Sequence, residues 1–239
     1  MMKRSKTMKK FAALLTALML LLSFYACAEE APAAVHVYVS ITDDTGALVL
    51  AYAPVAVTDT DEDGIVSIHD ALLCAHTANH PDGADAFASA QTEYGISMTR
   101  LWGVENGDSY GYYLNDASAW SLLDPVQEND HVKAYPFTDL IAWSDTYCFF
   151  DAAHAEVQPG AEVMLTLSVA GYDENWAPVT LPAVDAMITV NGEAADIMTD
   201  AEGKCTLTFA EEGVYVISAK SETQNLVAPV CVVTVAAVQ

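Results

Sequence analysis

Basic side chains are scarce in this chain, and most of them lie at its start. Of nine Lys and Arg residues among 239, five fall in MMKRSKTMKK, residues 1–10. The rest of the chain sets four basic residues against 33 acidic ones, a formal charge of −29. Because phosphate binding depends on clustered Lys and Arg, this composition argues against nucleic acid and anionic membrane surfaces as partners. Cations are the partners that such a charge favours.

Long apolar runs are also lacking, apart from one near the start. A mostly apolar run, residues 11–22, follows the basic segment and leads into small residues, so residues 1–28 are typical of a signal peptide. The run is shorter than the roughly 20 residues needed to cross a bilayer, and we expect no membrane span. Cys27 leaves a lipid anchor as an alternative, although Phe24 and Tyr25 fit a lipoprotein motif badly. We therefore expect a secreted or cell-surface protein.

Cysteine is too sparse beyond the leader for a disulfide scaffold, and the spacing matches no metal motif. The four cysteines are Cys74, Cys148, Cys205 and Cys231. Cys205 and Cys231 both lie in strand-like runs and are the candidate disulfide pair; buried free thiols are the alternative.

Catalytic motifs are lacking as well. The sequence has no nucleophile elbow, metalloprotease helix, phosphate loop or neighbouring cysteine–histidine pair. Acidic pairs are abundant, but about 210 residues divided into two small domains imply no cleft for a glycosidase. We therefore expect that the protein is not an enzyme.

One stretch gathers acidic residues to an unusual degree: DTDEDGIVSIHD, residues 59–70, called here the acidic loop. Its spacing follows the calcium-loop pattern, in which alternate oxygen ligands surround the ion at about 2.4 Å and a glycine makes the sharp turn at the sixth position. Gly64 occupies that position. The predicted Ca²⁺ ligands are the carboxylates of Asp59, Asp61, Asp63 and Asp70, the carbonyl of Ile65, and Ser67 directly or through water. A solvated acidic turn is the alternative interpretation.

The residues around the acidic loop predict a strand–loop–helix unit. VHVYVSI and ALVLAYAPVAV are strand-like and flank the turn signal TDDTG, which indicates a hairpin before the loop. After it, Ser67 is a plausible N-cap, and apolar residues recur at helical spacing from Ile68 until the chain reaches Pro81. A second helix is expected at about residues 84–94. Calcium would then fasten the first helix to the hairpin.

Three resemblances to known families accompany these patterns. DTDEDGIVSIHDALL resembles a dockerin calcium loop with the helix that leaves it, since dockerins place aspartate at the twelfth position. LWGVENGDSYGYYLNDASAWSLLDPVQENDHVKAYPF resembles the transcobalamin-like C-terminal domain, which implies a β-grasp-like α+β fold for residues 35–151. TVNGEAADIMTDAEGKCTLTF and EGVYVISAK resemble bacterial immunoglobulin-like modules, which implies an all-β sandwich for residues 152–239.

Two further clusters have both a functional and a structural interpretation. His69, His76 and His80 share a helical spacing that suits zinc, but a partly exposed stripe is the simpler interpretation. Aromatic residues are frequent before residue 151, and Trp102 and Trp120 are the expected walls of any ligand pocket; most of the set would otherwise build the core.

We therefore predict a calcium-binding scaffold or binding protein whose partner is a surface protein or glycan. The alternatives are a capture protein for a small ligand or glycan, cobalamin-like ligands included, and a dockerin-like accessory of a polysaccharide-degrading system.

Overall fold

The structure is a computed structural model and describes residues 34–237. The predicted signal peptide and Cys27 lie outside these residues. The chain from Ala34 onward forms one compact unit, which is mostly β and has several sheets. None of its described helices is both long and apolar enough to cross a membrane.

The first half contains seven strands and the α-helix. Its elements are β1 (Val35–Thr42), β2 (Leu48–Val57), α1 (Ile68–Asn79), a 3-10 helix (Gly83–Ala86), β3 (Ala88–Thr92), β4 (Gly95–Arg100), β5 (Tyr110–Leu114), β6 (Ala117–Ser118) and β7 (His131–Pro136).

As far as residue 237, the second half contains strands and no helix. They are β8 (Asp145–Thr146), β9 (Cys148–Phe150), β10 (His154–Val157), β11 (Glu162–Tyr172), β12 (Pro178–Pro182), β13 (Met187–Val190), β14 (Glu193–Met198), β15 (Lys204–Thr208), β16 (Gly213–Lys220), β17 (Asn225–Leu226) and β18 (Cys231–Val235).

A mixed five-stranded sheet with the order β2-β1-β7-β5-β6 organises the first half. β1 and β2 form the predicted antiparallel hairpin, whereas β1 and β7 run parallel. α1 packs against β1, β2 and β7. Alternate residues of β1, Val37, Val39 and Ile41, are buried together with Ile68 and Leu72 of the helix. Apolar residues that alternate along β1 and recur at helical spacing along α1 therefore face each other and form one shared core.

The first helix is confirmed with its predicted bounds. Ser67 is its N-cap and forms a capping box with Asp70, and the helix ends where His80 adopts an extended conformation before Pro81. The buried face carries Ile68, Ala71 and Leu72, as the apolar spacing indicates.

The second predicted helix, at residues 84–94, is wrong. Those residues form a short 3-10 helix and then the β3–β4 hairpin. Gly95 has φ +115°, which favours glycine, and the Thr92 hydroxyl donates to the Gly95 carbonyl at 2.8 Å. The alanine-rich composition favours a helix locally, but pairing between the two strands overrides that preference.

Two sheets enclose the core of the second half. One has the order β10-β18-β16-β13-β14, and the other has the order β12-β11-β15 with β9 also paired to β11. Leu165 and Leu167 of β11 are buried together with Ile188, Ile217 and Val233 of the facing sheet. The predicted alternation of apolar and polar residues therefore corresponds to strands that bury one face each.

Most buried apolar side chains of the described residues fall into two clusters, one in each half. The second cluster already includes Cys148, slightly before the predicted boundary at residue 151, and that boundary stays a prediction. Cys205 and Cys231 are both free thiols in this second core. Burial raises the pKa of Cys205 to about 11 and that of Cys231 to about 12, so both stay protonated at neutral pH.

Candidate metal centre

Three of the predicted calcium ligands come together in the acidic loop. Asp59, Asp61 and Asp63 each offer a carboxylate oxygen, and these oxygens all lie within 4.8 Å of one another. The loop leaves β2 directly and enters α1 at Ser67, as the strand–loop–helix prediction requires. A hard divalent cation prefers such oxygen donors, so this trio is the candidate metal centre.

Hydrogen bonds from backbone amides of the acidic loop to these carboxylates hold the loop in a tight turn. The two carboxylate oxygens of Asp59 accept hydrogen bonds from the amides of Asp63, at 3.2 Å, and Gly64, at 2.8 Å. Asp63 in turn accepts from the Ile65 amide at 2.8 Å. Gly64 has φ +90°, a conformation that residues with a Cβ rarely adopt. Each carboxylate provides about four acceptor sites, so these single bonds leave oxygen lone pairs available for an ion.

The trio carries unneutralised negative charge. The pKa of Asp61 is raised, first by desolvation and then by the charges of Asp63 and Asp70, although the Asp63 amide opposes the shift. Negative charges this close disfavour one another, and a bound cation would relieve the repulsion.

Asp70 has a different role from the other aspartates. One of its oxygens accepts hydrogen bonds from the amide, at 2.9 Å, and the hydroxyl of Thr60, and the other from the amide and hydroxyl of Ser67, at 2.9 and 2.8 Å. Only 1% of its surface is exposed. Desolvation favours the neutral acid, but the hydrogen bonds from Thr60 and Ser67 outweigh it and lower the pKa of Asp70. Asp70 therefore fastens the start of the loop to the start of the helix.

The structure thus places five of the six predicted ligands in two groups, and Ile65 in neither. Asp59, Asp61 and Asp63 form the oxygen cluster, whereas Ser67 and Asp70 form the capping box. The Ile65 side chain is partly exposed, and its amide donates to Asp63. Metal ligation by Ile65, Ser67 and Asp70 stays a prediction. To bind the ion, the Asp70 carboxylate would have to give up some of its present hydrogen bonds.

A segment that sequence reasoning missed supports the helix start. The amide of Ile68 donates to the Asp124 carbonyl at 3.0 Å, and the amide of His69 donates to the Leu122 carbonyl at 2.8 Å. The amide of Val126 donates to the Val66 carbonyl at 2.9 Å. These bonds satisfy helix-start amides that would otherwise lack partners. The Asp-Pro pair at residues 124–125 indicates a turn there, but its partner could not be read from the sequence.

The histidines do not form a second centre. His76 is fully buried; its Nδ1 lies 2.6 Å from the Leu72 carbonyl and its Nε2 accepts from the Trp102 amide at 2.9 Å. His69 pairs with the Ser89 hydroxyl, and the His80 ring packs edge-on against Trp102. Within residues 34–237, the aspartate trio is the one group of three or more His, Cys, Asp or Glu side chains placed closely enough to hold a metal ion. His76 is therefore a structural link between α1 and the turn after β4.

Trp102 and Trp120, the predicted walls of an aromatic ligand pocket, do not line a common pocket in the described residues. Trp102 packs against the first core, whereas Trp120 is 96% exposed. Several remaining aromatics lie where the two halves meet, and the rings of Tyr113 and Tyr147 stack with centroids 3.4 Å apart. Most of the aromatic set therefore builds the core and the junction.

Two buried histidines predict that the protein loses stability in mild acid. Burial lowers the pKa of His76 to about 4, and burial together with the charge of Lys133 lowers that of His131 to about 3. Both folded values lie below the unfolded value of about 6.5, so acidification protonates the unfolded chain first. The stabilisation is complete above about pH 6.5 and is lost as the pH falls towards 4, with a slope of about 1 kcal/mol per pH unit for each histidine.

Urea unfolding measured between about pH 6 and pH 4.5 checks this expectation. His131→Gln should reduce the slope of unfolding free energy against pH by the contribution of one histidine, about 1 kcal/mol per pH unit. His36→Gln is the matched control, because the His36 side chain is largely exposed. An unchanged slope in His131→Gln would contradict the assignment.

Comparisons with known proteins place this chain in no family. No protein-family model matches it, and no curated protein matches it. Among solved structures, it is similar to the N-terminal four Ig domains of Dscam1, in isoform 9.44 at 13% identity and in isoform 4.44 at 12% identity. Each match covers 62% of this chain and 32% of the other, with a TM-score of 0.25. This chain thus spans about a third of the length of those structures, and a likeness of that quality carries no argument about function.

Proposed function

We propose that the acidic loop binds Ca²⁺ and that the protein is a calcium-stabilised binding or scaffold protein at the cell surface or outside the cell, without catalytic activity. The observation that carries the proposal is the convergence of Asp59, Asp61 and Asp63 around the glycine turn at Gly64. The signal-peptide pattern of residues 1–28 supports export to a compartment where calcium is plentiful.

The position of the loop supports a structural role for the ion. It joins the edge strand β2 to α1, the helix that covers the sheet. With a Kd of about 10⁻⁴ M, typical of extracellular modules, millimolar calcium would stabilise the fold by about 1.4 kcal/mol. The trio would supply three carboxylate ligands, while the Ile65 carbonyl, Ser67, Asp70 and water complete the proposed shell.

Two finer fold assignments belong to the same proposal. For the first half, the β-grasp-like assignment is supported by a mixed sheet whose central pair β1 and β7 is parallel and by a helix that follows the first hairpin. For the second half, the immunoglobulin-like assignment is supported by two sheets that face each other across one core. Both kinds of module present surfaces for partners, which agrees with a scaffold or binding role for a surface protein or glycan.

Thermal unfolding with and without calcium tests the proposal. We expect millimolar CaCl₂ to raise the Tm of the wild type by about 3 to 6 °C relative to EGTA. The variant Asp59→Asn/Asp63→Asn should lose this response and should be more stable than the wild type in EGTA, because two repelling charges are gone.

Glu62→Gln is the matched control, since it removes one charge from the same loop but leaves the trio intact. It should keep most of the calcium response. Equal calorimetric traces for the wild type and the double variant on calcium addition would refute the ion site.

A further inference from the structure

A cleft lies where the two halves of the compact unit face each other. Its volume is about 470 Å³, which falls in the range of small-molecule sites. One wall is the start of the edge strand β2, with Leu48, Val49 and Ala51. The opposite wall is formed by β13 and β16 of the second half. The cleft is distinct from the acidic loop and from the expected walls Trp102 and Trp120.

The floor of the cleft is the outer face of β16. Ile217 and Ala219 point into the core of the second half, so the alternate residues Val216, Ser218 and Lys220 face the other way and line the cleft. Leu226 also lines the cleft. The lining therefore combines aliphatic residues with a few hydroxyl- and amide-bearing residues and one lysine, Lys220.

Lys220 is one of two lysines in the described residues that form no ion pair; the other is Lys204, which does not line the cleft. Arg100 forms an ion pair with Glu105, and Lys133 forms one with Asp116. In residues 34–237, no carboxylate lies within salt-bridge distance of the Lys220 ammonium. Lys220 is thus a cleft-lining cation without a carboxylate partner, in a chain with a large excess of acidic residues.

We propose that this cleft binds a small organic monocarboxylate with an apolar body, with its carboxylate on Lys220 and its apolar part between β2 and β16. A charge-assisted hydrogen bond to Lys220 would orient the ligand, and the aliphatic walls would bury its body. The chemistry favours one negative charge, because a single cation cannot offset a dianion against the surrounding acidic surface. The site would make the protein a capture protein as well as a calcium-stabilised one.

The test is an NMR titration of the methyl groups of Leu48, Val49, Val216 and Leu226 with octanoate and with 3-phenylpropanoate, at fixed saturating calcium. We expect saturable shifts at these methyls with a Kd at or below about 1 mM. Lys220→Met should weaken binding about tenfold or more, whereas Lys204→Met, a lysine outside the cleft, should leave it unchanged. 1-Octanol, the uncharged analogue, should bind at least about tenfold more weakly than octanoate.

Val216→Trp places a large side chain in the cleft and should abolish binding of both carboxylates. If the tryptophan variant fails to fold, Lys220→Met still decides the test, because Lys220 is exposed at the end of β16 and its replacement should not disturb folding. The proposal is overturned if neither carboxylate shifts these methyls, if Lys220→Met binds as tightly as the wild type, or if 1-octanol binds as tightly as octanoate. Because calcium is constant throughout, these outcomes are independent of the metal site.

Discussion

Replacing Asp116 with alanine should lower the free energy of unfolding by about 3 to 5 kcal/mol, because it leaves a buried lysine without its partner. Lys133 lies in β7 and is only 7% exposed, and its ammonium pairs with the Asp116 carboxylate. The same carboxylate oxygen accepts a hydrogen bond from the Tyr147 hydroxyl at 2.6 Å. The Lys133 ammonium also lies 5.4 Å from the centre of the Tyr147 ring. The network thus connects the β5–β7 region to Tyr147, which lies between β8 and β9 of the second half.

Urea unfolding at neutral pH measures the effect, and a second substitution isolates its cause. Asp116→Ala/Lys133→Met should recover most of the lost stability, because it removes the unpaired charge and retains an apolar stem of similar length. Tyr147→Phe, which removes only the hydroxyl, should cost about 1 kcal/mol. If the double variant were as unstable as Asp116→Ala, the buried charge would not be the cause.

Replacing Asp70 with alanine should cost about 3 kcal/mol, because its carboxylate accepts four hydrogen bonds from Thr60 and Ser67 in a buried position. The substitution leaves the amides of both residues without this acceptor. We also expect the calcium response to fall, since the loop would lose the hydrogen bonds from Thr60 that hold it to Asp70 of α1. Urea unfolding in EGTA and in calcium separates the two effects.

Ser67→Ala is the matched comparison for Asp70→Ala. It removes the N-cap hydroxyl but leaves the Asp70 carboxylate in place, so it should cost only about 1 kcal/mol. Equal losses for the two variants would mean that Asp70 acts only through the cap and not as the fastener of the loop.

Local patterns predicted much of the first half. The β1–β2 hairpin, the strand that enters the acidic loop and the helix that begins after Ser67 all follow from residue order over a few positions. The carboxylates of Asp59, Asp61 and Asp63 converge because alternate residues of a tight loop face inward. Such features depend on residues that are close in sequence, and they can therefore be predicted from a single sequence.

Features that depend on distant partners could not be predicted in the same way. The support of α1 by residues 122–126 pairs segments more than 50 residues apart, and the network of Asp116, Lys133 and Tyr147 exists only once both halves have folded. The second expected helix was wrong for a different reason: its alanine-rich composition favoured a helix, whereas the residues form the local β3–β4 hairpin. The cleft at Lys220 is likewise lined by residues from strands far apart in sequence.

One parallel strand pair in each half has a mechanical consequence. β1 is the first strand of the first half and runs beside β7, its last strand; in the second half, β10 runs beside β18, the last strand. Tension drawn along the chain pulls two adjacent parallel strands in opposite directions, so their evenly spaced hydrogen bonds bear the load together in shear. Unzipping one bond at a time, as in a hairpin pulled from its open end, is not available to these pairs. We expect both halves to resist stretching through this arrangement.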